Sequence, residues 1–173
     1  MSNYSFKSFK YIYFLKLDEF KFKTSNIEIN KTITTEKAKN VLFLIVDDEA
    51  LIRSAIIRII VKELKASNEC FNLRIVEASD GVECLLAMYL HNNNNIKFDA
   101  LISDETMPYI SGMHLSKIIF DLVSKGAIQE INMFISTART DINIINNYSN
   151  IVKKVYPKPI DANAVKDLLK YIK

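Results

Sequence analysis

Val41-Leu42-Phe43-Leu44-Ile45-Val46-Asp47-Asp48-Glu49 runs six apolar residues straight into three acids. The run has no polar alternation and includes the β-branched Val41, Ile45 and Val46. That pattern reads as a strand buried on both faces, of the kind found in parallel sheets covered by helices, with the acids at its carboxyl end. A helix is expected from about Ala50 to Ala66, then a second strand at Leu73–Ala78. Asp80 is positioned to cap a helix from Gly81 to about Tyr89. A third strand, Ala100–Ser103, ends at Asp104. Ser111 can cap a helix with an apolar stripe at Leu115, Ile118, Ile119 and Leu122, and Gly126 lies beyond its end. Met133–Thr137 is the fourth strand, with a short helix around Asp141–Tyr148 after it. Val152–Tyr156 is the fifth, and Asp161 caps a last helix with its stripe at Val165, Leu168, Leu169 and Ile172. Five strand–helix alternations predict an α/β fold: a doubly wound, five-stranded parallel sheet with helices on both faces.

The 173 residues, 49% of them apolar, suffice for one domain with an extension. The expected division is residues 1–39 as an N-terminal extension or linker and residues 40–173 as the domain. The extension mixes Phe6, Phe9, Tyr11, Tyr13 and Phe14 with lysines, then alternates in Phe20-Lys21-Phe22-Lys23 and Ile27-Glu28-Ile29. Period two predicts one or two exposed strands there. Lys7, Lys10 and Lys16 interrupt any secretory apolar core, and no apolar run approaches the roughly 20 residues that cross a bilayer. The expectation is a cytoplasmic protein without a membrane span. Eight lysines against four acids give residues 1–40 a charge of +4, so the remainder carries −1 of the net +3. A near-neutral body gives no reason to expect nucleic-acid contact. Cys70 and Cys84 lack metal-ligand spacing and read as reduced structural residues. His91, beside the Asn92–Asn95 surface loop, and His114 read as structural or surface residues. With three glycines and no phosphate-cradling loop, a nucleotide enzyme has no support.

In doubly wound sheets ligands gather at the carboxyl ends of strands. Here those ends carry Asp47 and Asp48, then Asp104, then Thr137 before Ala138, then Lys158 before Pro159. Three carboxylates brought together repel one another, and a hard divalent cation such as Mg2+ relieves this. One carboxylate can then remain ionised and act as a nucleophile. A transferring phosphoryl group spreads charge over its equatorial oxygens, which a cation, an ammonium and a hydroxyl or amide can share.

On these residues the sequence resembles the receiver domain of response regulators over roughly residues 41–173. The resemblance rests on Leu44-Ile45-Val46-Asp47-Asp48-Glu49, Glu77-Ala78-Ser79-Asp80-Gly81-Val82-Glu83, Asp104-Glu105-Thr106-Met107-Pro108 with Gly112, Ser136-Thr137-Ala138, and Lys158-Pro159, in that order. It implies a flavodoxin-like sheet of order 2-1-3-4-5. It implies that Asp104 is the phosphoacceptor and that Asp47, Asp48, Asp104 and the backbone carbonyl of Thr106 hold Mg2+. Thr137, Ala138 and Lys158 would bind the phosphate and switch with it, and the Lys158–Pro159 peptide would be cis. The implied donor is a phosphohistidine on a histidine kinase or a histidine phosphotransfer protein, and the implied recipient of the signal is a downstream output protein or domain.

The chain departs from the family pattern in three places. Val155 stands three before the lysine, where an aromatic is usual, and Tyr156 comes one place later. Pro157 is an extra proline beside the lysine, and the Asn92–Asn95 stretch lengthens the connection to Asp104. The chain would be a signalling domain, not a turnover enzyme, either standing alone or as the receiver end of a hybrid sensor kinase. Two other readings compete: a receiver-shaped interaction module without phosphotransfer, and a haloacid-dehalogenase-type phosphatase. The latter places its second acid two residues after a first-strand nucleophile, where this chain has Glu49.

Overall fold

A computed structural model describes residues 22–29, 38–67, 69–139 and 150–172. Among them the chain forms β1 (Thr24–Ile29), β2 (Lys39–Val46), α1 (Ala50–Ala66), β3 (Phe71–Ala78), α2 (Gly81–Asn93), β4 (Ala100–Asp104), α3 (Gly112–Ser124), β5 (Asn132–Thr137), β6 (Val152–Pro157) and α4 (Ala162–Leu169). The helix expected at 141–148 lies outside the described residues.

The strands form one sheet in the order β1-β3-β2-β4-β5-β6. From β3 to β6 all neighbours are parallel, and these five strands have the order 2-1-3-4-5. The expected count of five is corrected to six. Thr24–Ile29 pairs antiparallel with β3 along its whole length, Thr24 opposite Val76 and Ile29 opposite Phe71. The physical reason is that this pairing carries Ile27 and Ile29 of the alternating segment onto the core while Asn26 and Glu28 stay exposed. The period-two pattern at Ile27-Glu28-Ile29 marks a strand with one buried face, and Ile27 and Ile29 do pack into the core. Alternation alone carries no information about which edge the strand joins.

Alternation along β2 sorts the interior into two halves. Val41, Phe43 and Ile45 face Ile56, Ile60 and Leu64 of α1 and Val165 and Leu168 of α4. Leu42, Leu44 and Val46 face Cys84, Ala87 and Met88 of α2 and Leu115 and Ile119 of α3. Burial on both faces is the reason this strand is apolar throughout. Neither cysteine forms a disulfide, and burial pushes the Cys84 thiol far up, so it packs as a small apolar group.

The expected caps form. Asp80 accepts from the amides of Val82 and Glu83 at 2.8 and 2.9 Å, Ser111 accepts from His114 at 3.4 Å, and Asp161 accepts from Ala164 at 2.8 Å. Beyond α3, Gly126 takes φ 66°, a left-handed conformation that glycine adopts without cost. α2 differs from expectation: it continues through Asn93, and the turn is confined to Asn94 and Asn95. The asparagine run hides that continuation, since its side chains find partners that leave the helix intact: Asn94 Nδ2 donates to Leu90 O in the preceding turn, and Asn92 Nδ2 donates across to Ala127 O. Among the described residues no helix is long and apolar enough to cross a membrane.

Candidate functional site

The face of the sheet that packs on α1 and α4 continues past the strand ends into polar residues. Asp47 extends the Val41-Phe43-Ile45 row, Asp104 follows Ala100 and Ile102, and Lys158 follows Tyr156. Side-chain alternation therefore aims all three the same way. Lys158 Nζ lies 2.9 Å from Asp47 Oδ2 and 3.0 Å from Asp104 Oδ1. One oxygen from each of Asp47, Asp48 and Asp104 lies within 4.8 Å of the others. Asp47 and Asp104 are buried and Asp48 is exposed, so the cluster is open to water on one side.

Backbone donors fix the carboxylates. The Glu49 amide donates 2.9 Å to Asp47 Oδ1, and the Thr106 amide hydrogen-bonds the Asp104 carboxyl. Burial raises the Asp104 pKa above the ordinary carboxylate range, and the charge of Asp47 adds to that rise, against the lowering effects of Lys158 and the Thr106 amide. Burial opposes the charge on Lys158, but its hydrogen bonds to Asp47 and Asp104 outweigh this and raise its pKa. The ammonium therefore stays protonated at neutral pH.

Three carboxylates and one ammonium leave two uncompensated negative charges when all are ionised. An all-oxygen, doubly negative, half-open cluster fits a hard divalent cation that keeps some of its water, which is the preference of Mg2+. The donor set therefore agrees with the metal that the sequence suggests.

The β4–α3 turn presses closely on this cluster. A Cβ on Gly112 would stand 2.6 Å from the Asp104 carbonyl oxygen and 2.9 Å from Glu105 Oε2, so only glycine fits there. Thr106 and Ala138 are exposed at the rim. The Thr137 hydroxyl accepts from the Arg139 amide at 3.0 Å, within its own turn, and the Thr137 carbonyl accepts from the Lys158 amide at 2.8 Å. The Lys158–Pro159 peptide is cis. Val155 packs toward α2 and α3, whereas Tyr156 turns to the opposite face, where its hydroxyl donates to Asp167 of α4 at 3.0 Å.

Two features of the site have no role assigned from the sequence. Ser136 is opposite Asp104 in the β4–β5 register, and its hydroxyl is buried with no hydrogen-bond partner among the described residues. Its neighbour Thr137 ends the strand and is the residue that the sequence marks. The second is an ion cluster at the end of β3. The buried Glu77 carboxylate pairs with Arg53 of α1 at 3.1 Å and with Lys23, just before β1, at 2.7 Å. A carboxylate in an otherwise apolar strand is a signal of a buried partner, but the sequence does not reveal which cation supplies it.

No protein-family model and no curated protein matches the chain. Solved structures do. The signal receiver domain of NarL from Mycobacterium tuberculosis superposes with a TM-score of 0.59 at 18% identity, over 76% of this chain and 95% of that one. A two-component transcriptional regulator, AraC, from Clostridium phytofermentans gives 0.58 at 26% identity, over 75% and 90%. The receiver domain of the hybrid histidine kinase CckA gives 0.52 at 26% identity, over 76% and 99%. The chain has the receiver-domain fold.

Proposed function

We propose that this chain is a phosphoacceptor receiver domain that takes a phosphoryl group from a partner's phosphohistidine onto Asp104. The observation that carries the reading is the Lys158 ammonium held between Asp47 and Asp104, with Asp48 completing a cation-sized carboxylate cluster. The receiver fold of its structural neighbours supports the same reading. In this reading residues 40–173 are the receiver unit, and residues 1–39 are an extension that contributes β1 to its edge.

Asp47, Asp48, Asp104 and the Thr106 carbonyl would hold Mg2+, which when bound supplies positive charge against the phosphoryl oxygens. Asp104 attacks phosphorus in line. The new bond joins its carboxylate oxygen to phosphorus, and the phosphorus–nitrogen bond to the donor imidazole breaks, its electron pair returning to the ring. Lys158 exchanges one carboxylate contact for a phosphoryl oxygen, and the Thr137 hydroxyl and Ala138 amide turn toward another. Phosphorylation adds about −1.5 to −2 charge, enough to change the population of the surface around β5 and β6. The donor would be a histidine kinase or a histidine phosphotransfer protein, and an output protein or domain would read the altered surface. The protein would work in the cytoplasm as a switch, catalysing only its own phosphorylation and hydrolysis.

The test is incubation with acetyl phosphate and Mg2+, followed by intact-mass measurement. Wild type should gain one phosphoryl group, and Asp104→Asn should gain none. Equal modification of the variant would show the acceptor to be elsewhere.

A further inference from the structure

The receiver reading uses the carboxylates at the rim but leaves the buried ion cluster behind them unexplained. Glu77 closes β3 on the same sheet face as Leu73 and Ile75, and its side chain is 2% exposed. Its Oε2 accepts from Arg53 Nε at 3.1 Å. Arg53 Nη1 donates 2.7 Å to the main-chain oxygen of Asp47. The guanidinium is planar, so holding Nε on Glu77 also fixes the direction of the bond to Asp47. Glu77 Oε1 is buried, and among the described residues its partner is the Lys23 ammonium, in an ion pair at 2.7 Å. Lys23 is held by its backbone as well: the Glu77 amide donates to the Lys23 carbonyl at 3.0 Å.

We propose that Arg53, Glu77 and Lys23 are positioning residues through which the amino-terminal strand sets the affinity of the acidic cluster for its cation. The inference rests on the receiver reading and extends it to a residue of the N-terminal extension. Arg53 acts on the backbone of Asp47 and does not touch the cation. Glu77 orients Arg53, and Lys23, itself 64% exposed, places a second cation on the other oxygen of the buried carboxylate. Without Lys23, Glu77 must draw more on Arg53 and the hold on Asp47 loosens. Coupling of this kind is reciprocal: if the docked strand favours cation binding, the cation must favour strand docking.

The test uses the full chain, with calorimetric titration of Mg2+ and amide hydrogen exchange over Thr24–Ile29. Arg53→Lys keeps the charge but loses the planar fork, and its Mg2+ affinity should fall about tenfold, as for other groups that orient metal ligands. Lys23→Met should fall about fivefold, a typical coupling between sites. Thermal melting in EDTA establishes that both variants are folded. In wild type, Mg2+ should slow exchange in Thr24–Ile29, and in Arg53→Lys it should not. If both variants bind Mg2+ as wild type does, or if exchange in the strand ignores Mg2+, the inference is overturned. If wild type itself neither binds Mg2+ nor accepts a phosphoryl group, the receiver reading fails and takes the inference with it.

Discussion

Lys158 bridges Asp47 and Asp104, two carboxylates that end different strands, at 2.9 and 3.0 Å. The Asp47 and Asp104 side chains are 1% and 5% exposed, so water entering at the open side of the cluster replaces the ammonium only in part. Lys158→Met should therefore destabilise the cation-free protein by roughly 3 kcal/mol, the usual cost of stranding a buried charge. Added Mg2+ should recover part of that loss, because it offers the same two carboxylates a replacement cation. Urea denaturation in EDTA and in Mg2+ measures both quantities. Equal losses in the two conditions would mean that Mg2+ does not take over the role of the ammonium.

The raised pKa of Asp104 makes a second prediction, whose sign is fixed by linkage. Burial raises the folded-state value above the ordinary 3.8, so the folded protein holds this proton more tightly than the unfolded chain. Ionised Asp104 then costs stability at neutral pH, and the cost vanishes as pH falls from the raised folded value to 3.8. Without Mg2+, Asp104→Asn should be more stable than wild type at pH 7, and the gap should close as pH falls through that window. Denaturation midpoints of the pair at several pH values check this. A gap that widens on acidification would contradict the direction.

Gly112 tests how closely the β4–α3 turn must approach Asp104. A methyl group there would meet the Asp104 carbonyl oxygen at 2.6 Å and Glu105 Oε2 at 2.9 Å. The first contact is with backbone that pairs in the sheet and has little freedom to move. Gly112→Ala should cost about 2–3 kcal/mol, at the upper end for overpacking, and should slow phosphoryl uptake by shifting Asp104. Melting temperature and the rate of modification by acetyl phosphate are the readouts.

Most of this architecture is legible in the sequence because a strand buried on both faces leaves an unbroken apolar run. The acids of 47–49, Asp104 and Lys158 then mark the strand ends by contrast. Ser136 is not legible in that way, since which of two adjacent hydroxyl residues lies opposite Asp104 depends on register between strands far apart in sequence. The sixth strand is half legible: Ile27-Glu28-Ile29 announces a strand, but its pairing with β3 is a tertiary fact. The Lys23–Glu77–Arg53 cluster joins three separate elements, and no local pattern encodes such a meeting.

Tyr156 supplies the last prediction. It sits one place after the position where receiver sequences usually carry an aromatic, and one residue along a strand reverses the direction of the side chain. It accordingly faces the α1 and α4 half of the core, with its ring 6.2 Å from that of Phe134. Burial, then the bond to Asp167, pushes its phenol pKa far up, so the hydroxyl stays a donor at any working pH. The Asp167 carboxylate is held down to about 2, first by Lys154 and next by Tyr156, so the acceptor stays ionised. A tyrosine held in this way by Asp167 would not follow the proposed movement of Thr137. Tyr156→Phe should therefore cost about 1 kcal/mol, the worth of one hydrogen bond, and leave the rate of phosphoryl uptake and the lifetime of the phosphorylated form unchanged. Thermal melting gives the first quantity and a phosphate-affinity gel time course the others. A changed lifetime would mean that Tyr156 leaves Asp167 during the switch.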